Sequence, residues 1–517
     1  MEYRSDKRDV LLPPEPQSVY DTAVLCGRYI KNRAVSVSKV ASAAASSIAS
    51  PRRVPSPSRA GHGHAAPHKP SRGHSPTAYL SGVRGVAAVI VFLFHSTWAL
   101  TPAVDDGYGL WNVNHYVFQL PLLRLVHAGH AMVGIFFLIG GYVNAMKPLQ
   151  LIRERRHAEL VPAVASSLLR RGIRLYMPAL VAMLATALLT YAGAFEPARR
   201  NLDTLKDVFY WPDFHPGRKD TLAATLRDWQ HQVFQLMNPW QQPFWSHLDP
   251  HLWTVTLEFR ASLVVSLSLS AAACCRVGSR LAILTLLALF SLRCDRWEIA
   301  LFLTGAVLAE LDLMRKDAAK AASASLPALD MIDMDVEAKR DAAPPPRPPA
   351  GHRIIHSLGV MLIAVAGMYL MSFPPSHAEE TRGFMLIYQW LVPSWTKDPK
   401  RYVLGPGAVL FMIALSSSAT LQRPFLTATA QYLGTVSYAL YIVHGPVLHS
   451  VGYVVTPAVL AVTGLETDRE WALGMVLSTV INFAVALGVA DVFYRFVDVG
   501  SVRAATAFQR MCFQSGY

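Results

Sequence analysis

The chain has 517 residues, of which 52% are hydrophobic and only 16% are charged, whereas soluble domains average roughly 25% charged residues. Its formal net charge is +13, but the basic residues are spread over connecting segments, which argues against a compact nucleic-acid-binding domain. Its five cysteines form no CxxC pair, so we expect neither disulfides nor a metal cluster.

The N-terminal region, residues 1–75, is rich in Ser, Ala, Pro, Arg and His and has no sustained apolar period. Such a composition cannot form a core and predicts a disordered cytoplasmic tail. The first long apolar run begins near Tyr79, too far from the start for a cleavable signal peptide. We therefore expect the first spanning helix to target the chain to the membrane.

Apolar runs of about 17 to 25 residues, the length that crosses a bilayer, recur from residue 79 onward. They predict an all-α, polytopic integral membrane bundle of about ten transmembrane helices within residues 76–500. Arg293, Asp295 and Arg296 separate the fifth and sixth runs, which form either a tight hairpin or a re-entrant pair, so the count is nine to eleven. The predicted segments are 79–100, 129–146, 173–195, 252–273, 279–294, 297–312, 354–373, 403–420, 432–455 and 471–494.

The distribution of basic residues indicates the orientation, because Lys-rich and Arg-rich loops stay cytoplasmic. Loops and helix ends on the side of the N-terminus hold 32 Lys and Arg residues, against 14 on the other side. We therefore predict that both termini face the cytoplasm, in the plasma membrane or an endomembrane. The segment 313–353 is predicted to be a flexible cytoplasmic linker, and residues 501–517 a cytoplasmic C-terminal tail.

Ionisable residues in the first segment are candidates for a functional site, since such groups are costly inside a membrane. Arg84 and His95 are eleven positions apart, which places them on one helix face and about 16 Å apart along the axis. Arg84 lies near the cytoplasm and His95 lies toward the other side, which suits a ligand running along the helix. Alternatively, Arg84 snorkels to the interface and His95 makes an interhelical hydrogen bond.

The fourth segment carries His251 and Glu258, which are seven positions apart and so share a helix face. The predicted depth of Glu258 below the outer membrane surface is nearly the same as that of His95. A carboxylate bonded to an imidazole fixes its tautomer and raises its basicity, as a general base requires. Glu258 is therefore predicted to orient His95, unless it pairs with a structural Arg or His. Arg260 points roughly 200° away from Glu258 and is less suited as its partner.

Five sequence motifs follow one another within residues 79–500: Arg84 to His95, Val133 to Tyr142, Arg170 to Pro178, His251 to Glu258, and Gly434 to His444. In this order they resemble the membrane acyltransferase 3 family, and its fungal branch in particular. The resemblance implies a ten-helix membrane fold that transfers an acyl group, often acetyl, from cytoplasmic acyl-CoA to a hydroxyl or amine. It implies acyl-CoA as co-substrate. We expect no tightly bound cofactor, and the residues predict no metal site. The family's paired Arg and His correspond to Arg84 and His95.

The resemblance and the residues together predict a donor site at the cytoplasmic face. Arg84, with Arg170, Arg171 and Arg174 nearby, is expected to bind the CoA phosphates, because guanidinium groups match phosphate geometry. The alternative for the arginine cluster is that it serves only as the positive-inside signal.

The acceptor side is predicted around His95, which removes the acceptor's proton as the acceptor attacks the thioester. Glu258 is expected to orient His95, with help from His251 or His130. Tyr438 and His444 are expected to line the acceptor side, although a buried Tyr or His is often structural. The expected acceptor is a hydroxyl of a sugar, a lipid or a secondary metabolite.

A membrane transporter or lipid flippase is the alternative function. Such a protein also places Arg, His and Glu inside helices, as a route for substrate or protons. It would favour inverted repeats, and the two halves of the sequence share no corresponding motif. The expected partners are therefore membrane lipid, acyl-CoA and a small-molecule or glycan acceptor, and no nucleic acid.

Overall fold

The computed structural model describes residues 75–112, 114–205, 208–240, 243–324 and 350–513. Within these ranges the regular structure is helical and includes no strand, which confirms the predicted all-α membrane bundle. Residues 1–74, predicted to be a tail, lie outside the described residues, as do 325–349 of the predicted linker and 514–517.

Sixteen α-helices, α1 to α16, make up the described part of the chain. In order they are Ala78–Trp98, Gly129–Arg153, Leu160–Tyr191, Glu196–Thr204, Leu222–Met237, Trp253–Ala271, Val277–Arg293, Trp297–Ala324, Ala350–Met371, Met385–Leu391, Arg401–Ser417, Ala419–Gln422, Ala428–Val447, Tyr453–Thr463, Asp468–Phe493 and Val499–Cys512. Two single π-helical turns, Leu448–Gly452 and Tyr494–Asp498, join α13 to α14 and α15 to α16.

By length and composition, seven helical segments of the described chain are able to cross a membrane. An eighth is added if α11 and Ala419–Leu426, bent by 106°, form one broken span. The predicted count of ten is therefore too high, although each predicted segment overlaps a helix. α7 has only 17 residues, short of the about 20 that a bilayer requires, and α8 carries Glu298, Glu310 and Asp312.

Several helices extend beyond their predicted bounds. α3 begins at Leu160 rather than near residue 173, so the arginines at 170, 171 and 174 lie inside a helix. α8 continues to Ala324, into the segment that we predicted to be a linker, because its alanines favour helix. The predicted C-terminal tail forms most of α16, which packs against α3.

The two ends of the bundle differ in their connections. The long-loop end carries residues 99–128, 192–252 and 372–400, whereas the short-loop end carries 154–159, 272–276 and 418–427. At the long-loop end, the backbone N–H of Leu122 donates to the Ser372 hydroxyl at 2.9 Å. Asn201 likewise donates to the carbonyl of Tyr453 at 2.9 Å. The described parts of the long connections therefore form a cap on the helices.

α1 packs along α13 at close range, because glycines lie at the crossing. A Cβ atom on Gly434 would collide with the backbone carbonyl of Ser81, and one on Gly85 would collide with the backbone of Gly434. Small residues of this kind let helix backbones approach each other in membrane proteins. The crossing fixes the helix that carries Arg84 and His95 relative to the helix that carries Tyr438 and His444.

Buried ion pairs tie α8 to its neighbours. Glu310 is fully buried and accepts hydrogen bonds from Arg280 of α7 at 2.8 Å and from Arg153 of α2 at 2.7 Å. Glu298 accepts one from Arg260 of α6 at 2.6 Å. Removing one partner of such a pair leaves an uncompensated buried charge, at a cost of about 3 to 5 kcal/mol. These pairs therefore hold α2, α6, α7 and α8 in register.

We expect Glu310→Gln to lower the thermal unfolding temperature in detergent, because Arg280 would keep its buried charge without a counter-ion. The matched control is Asp317→Asn, since Asp317 also bonds Arg153, at 2.5 Å, but is 55% exposed. Exposed pairs contribute about 0 to 1 kcal/mol, so this variant should unfold near the wild-type temperature. Equal shifts in the two variants would contradict the structural role of Glu310.

Candidate active site

A cavity of about 740 Å³ lies among α1, α2, α3, α6 and α13 and reaches the C-terminal helix α16. Apolar side chains such as Val91 and Phe136 form part of its wall. Its charged residues are Arg84, Arg170, Arg171, Arg174, Glu258 and Asp498. All four predicted phosphate-binding arginines thus meet in one cavity, and their guanidinium groups outnumber the carboxylates by four to two.

The four arginines differ in how they are held. Arg171 donates to Glu258 at 2.6 Å, and Arg170 donates to the carbonyl of Ser166 at 3.2 Å. Arg84 and Arg174 make no hydrogen bond or close ion pair to any residue within the described ranges. These two guanidinium groups are therefore available to an anionic ligand in the cavity.

Glu258 does not contact His95, contrary to the predicted pair, but bonds Arg171 in the cavity wall. The reason is the depth at which α6 enters the bundle. His251, in the turn before α6, lies level with His95, with ring centroids 4.2 Å apart. Glu258 follows seven residues later, about 10 Å further along the helix axis. The alternative reading of Glu258, as the partner of an arginine, matches the structure.

His95, His251 and His444 form a cluster of three imidazole rings. The ring centroid of His444 lies 5.2 Å from that of His95 and 4.7 Å from that of His251. Their nearest ligand-type atoms all lie within 4.8 Å of one another. α1, the turn before α6 and α13 each contribute one ring to this cluster, which we call the histidine cluster.

Hydrogen bonds define the tautomers of two of these rings. Nδ1 of His251 lies 2.9 Å from the Asp249 carboxylate, and Nδ1 of His444 lies 2.6 Å from the carbonyl of Tyr441. Because carboxylates and carbonyls accept, both Nδ1 atoms carry the proton and both Nε2 atoms are left bare. Nε2 of His444 and Nδ1 of His95 are buried without a hydrogen-bond partner. The cluster therefore presents basic nitrogen atoms.

A chain of hydroxyl groups connects the cavity to the histidine cluster. Thr254 and Tyr441 both line the cavity. Their hydroxyl oxygens are 2.5 Å apart, and the Tyr441 hydroxyl donates to the backbone carbonyl of His251. The inner wall of the cavity is thus in direct contact with the residue that packs on His95.

A further polar group lies next to His251, at the long-loop end. Asp213 lies 3.3 Å from Nε2 of His449, and its carbonyl contacts Nδ1 of His215 at 2.8 Å. Burial alone would raise the pKa of Asp213, but the hydrogen bond to His449 and the nearby imidazoles lower it to about 2. Burial, with the proximity of His449, lowers the pKa of His215 to about 4.

Two other predicted residues lie apart from the histidine cluster. The ring of His130 packs on Phe94 at 4.9 Å, and its backbone carbonyl accepts from Arg401 at 3.0 Å. Tyr438 lines the same cavity as the arginines, and its hydroxyl donates to the carbonyl of Leu175 at 2.6 Å. Tyr438 therefore lies on the arginine side, and His130 does not line the cavity.

Sequence reasoning missed Asp249, Tyr441 and Asp213. Asp249 caps the turn that begins at Pro250, where its side chain accepts from the backbone N–H of His251. An Asp directly before Pro at the start of a helix is a recognisable capping signal. Asp213 lies in an irregular segment far from its partners in sequence, and no spacing pattern could have found it.

The arrangement combines an anion-binding cavity with basic imidazoles behind its inner wall, since the cavity is lined by Thr254 and Tyr441 and not by the three histidines. Such a site is able to hold a negatively charged molecule at the arginines and to move a proton at the histidines. Helices that lie far apart in sequence supply the two halves, so the complete site exists only in the folded bundle.

Comparison with known proteins gives matches over most of the chain. A family model described as an acyltransferase domain, of the acyltransferase 3 type, matches residues 77–495. O-acetyltransferase PaAT-1 of Phomopsis amygdali is 26% identical over 464 residues, covering 84% of this chain and 85% of that protein. Acyltransferase clz18 of Cochliobolus lunatus is 26% identical over 470 residues, covering 83% and 95%. No solved structure matches.

Proposed function

Because the chain belongs to the acyltransferase 3 family of multi-pass membrane proteins, we propose that it transfers an acyl group from acyl-CoA to an acceptor hydroxyl. Acetyl is the first candidate for that group, since one relative carries the name O-acetyltransferase. The proposed acceptors are a sugar, a lipid or a secondary metabolite, the last two within reach of a membrane-embedded site. No tightly bound cofactor is needed for this reaction.

The four-arginine cavity is the observation that carries the proposal. Its volume, about 740 Å³, falls within the range of about 300 to 1,000 Å³ that is typical of small-molecule sites. CoA is an anion with several phosphates, and Arg84 and Arg174 have no competing partner among the described residues. Arginine is the residue best suited to bind phosphate through paired hydrogen bonds.

The relative position of the arginines and the histidines determines how acyl-CoA would lie in the site. With the phosphates at Arg84, the pantetheine arm extends along α1 toward Thr254 and Tyr441, which form the inner wall of the cavity. The distance from Arg84 to His95 along the helix axis is about 16 Å. An extended arm of that reach brings the thioester to the histidine cluster.

In the proposed reaction, His95 takes the proton of the acceptor hydroxyl as its oxygen attacks the thioester carbon. The carbon–sulfur bond then breaks, the acyl group remains on the acceptor oxygen, and the CoA thiolate leaves. The imidazolium of His95 returns its proton to the thiolate, which balances the reaction. A neutral imidazole accepts a proton near neutral pH, as a general base must.

The remaining polar residues hold the arginine cluster and His95 in place. Glu258 positions Arg171 through their 2.6 Å hydrogen bond, which replaces its predicted role beside His95. Asp249 fixes the tautomer of His251, which packs edge-on against His95. His444 is the second ring in contact with His95, and we place the acceptor beside these two rings.

The orientation that we propose places the short-loop end, both termini and the arginine cavity on the cytoplasmic side. Its support is the excess of Lys and Arg residues, 32 against 14, on that side. Acyl-CoA is cytoplasmic, so the donor would enter from the end where Arg170 and α16 border the cavity.

The orientation is testable with an epitope tag inserted between residues 330 and 335. In sealed vesicles with their cytoplasmic face outward, we expect added protease to remove the tag without detergent. A tag in the loop that contains Arg218 should be cleaved only after detergent is added, which controls for vesicle integrity. Protection of the first tag would contradict the orientation.

Arg84→Ala should weaken acyl-CoA binding, because the variant loses a charged hydrogen-bond donor to a phosphate. Hydrogen bonds to charged groups contribute about 1.5 to 3 kcal/mol, so the dissociation constant should rise by about tenfold to a hundredfold. The measurement is calorimetric titration of purified protein with acetyl-CoA. Arg503→Ala is the matched control, since Arg503 lies on α16 but does not line the cavity. Equal affinities of Arg84→Ala and Arg503→Ala would assign Arg84 to snorkelling.

His95→Ala should abolish transfer while acetyl-CoA still binds, because the variant lacks the imidazole that we propose takes the acceptor's proton. Loss of a general base lowers the rate by about a hundredfold to ten-thousandfold. The measurement is single-turnover transfer from labelled acetyl-CoA in detergent, with exposed His157→Ala as the control. A variant that keeps more than about a tenth of the wild-type rate, well above that range, would exclude the general-base role of His95.

A further inference from the structure

A second set of metal-ligand side chains meets at the long-loop end. The Oδ2 atom of Asp213 lies 3.7 Å from Nε2 of His251 and 3.3 Å from Nε2 of His449. One ligand-type atom of each residue lies within 4.8 Å of those of the other two. His251 is 5% exposed and His449 1% exposed, so the set is enclosed by protein.

The two separations that involve Asp213 are close to those of a tetrahedral metal centre. Zinc bonds to nitrogen and carboxylate oxygen measure about 2.0 to 2.1 Å, which places tetrahedral ligand atoms about 3.3 Å from one another. The separation between Asp213 and His449 already has this value, and that between Asp213 and His251 exceeds it by a few tenths of an ångström. Small side-chain shifts would complete the geometry.

The surrounding contacts orient two of the ligands. Asp249 binds Nδ1 of His251 at 2.9 Å, which directs the bare Nε2 atom toward Asp213. A carboxylate on the far nitrogen of a ligating histidine is the common second layer of zinc sites. The backbone N–H of Asp213 donates to the Tyr453 hydroxyl at 3.0 Å, which holds the loop that carries the carboxylate in place.

Charge balance also favours a cation here. Asp249 and Asp213 are 1% and 16% exposed, and neither pairs with a Lys or Arg within the described ranges. The Oδ2 atom of Asp249 is buried without a hydrogen-bond partner. Two buried carboxylates whose only ionisable partners in the described part of the chain are imidazoles are costly, and a divalent ion would offset both charges.

We propose that Asp213, His251 and His449 bind a divalent transition-metal ion, with zinc as the class that this donor set suits. Three protein ligands leave a fourth position for water or for His215. The Nε2 atom of His215 is buried and unpartnered, and its ring lies 4.6 Å from that of His449. The ion joins the loop before α5, the turn before α6 and the π turn after α13, and so holds His251 against His95. This site does not depend on the acyl-transfer proposal.

The test is elemental analysis of the full-length protein, purified in detergent with a tag free of histidine and exposed to zinc chloride before gel filtration. We expect about one equivalent of zinc in the wild type, consistent with one site of this donor set. Asp213→Asn and His449→Ala should lose it. Asp249→Asn should weaken zinc affinity by about tenfold to a hundredfold, because it removes only the second-layer carboxylate. His247→Asn, which disrupts a different His and Asp pair at the same end, should retain zinc.

Thermal unfolding gives a second readout that is independent of transfer activity. A chelator should lower the unfolding temperature of the wild type and of His247→Asn, but not that of His449→Ala, which has no bound ion to lose. Zinc content that is absent from the wild type, or equal in Asp213→Asn and the wild type, would overturn the proposal. If variants without the ion stay folded and still bind acetyl-CoA, failure of the zinc proposal and failure of the acyl-transfer proposal can be told apart.

Discussion

The close crossing of α1 and α13 at Gly85 and Gly434 is the contact on which the site depends. α1 carries Arg84 and His95, and α13 carries Tyr441, which joins the cavity to the histidine cluster. Because both glycines touch the opposite backbone, the two helices have little freedom to slide or separate. The crossing therefore holds Tyr441 and His444 of α13 at a fixed position relative to Arg84 and His95 of α1.

The cost of burying charge distinguishes the ion-paired residues of the bundle from the arginines of the cavity. Glu310 has two arginine partners and Glu298 has one, and these completed pairs brace the helices. Arg84 and Arg174 lack such a partner among the described residues but line a cavity that a ligand can enter. The contrast separates structural ion pairs from the groups that are left to bind a substrate.

Much of the fold and part of the site could be predicted from sequence. Arg84 and His95 lie on one helix, so the helical period alone relates them. The pairing of Glu258 with His95 was wrong because it depends on the depth at which α6 enters the bundle, which no local pattern encodes. The contact of Asp213 with His251 could not be predicted either, since only the fold of the long-loop cap brings the two residues together. The number of spans was overestimated because apolar runs such as α7 are helical yet short.

The central claim is that one molecule of acyl-CoA reaches from the four arginines to His95, and a structure with a non-hydrolysable thioether analogue of acetyl-CoA tests it most directly. The account predicts phosphate groups beside Arg84 and Arg174, with the carbonyl carbon about 3 to 3.5 Å from the acceptor's expected position at His95. Cryo-electron microscopy of the protein in nanodiscs would resolve both ends. An analogue bound at the long-loop end, or one whose acyl group points away from the histidine cluster, would contradict the account.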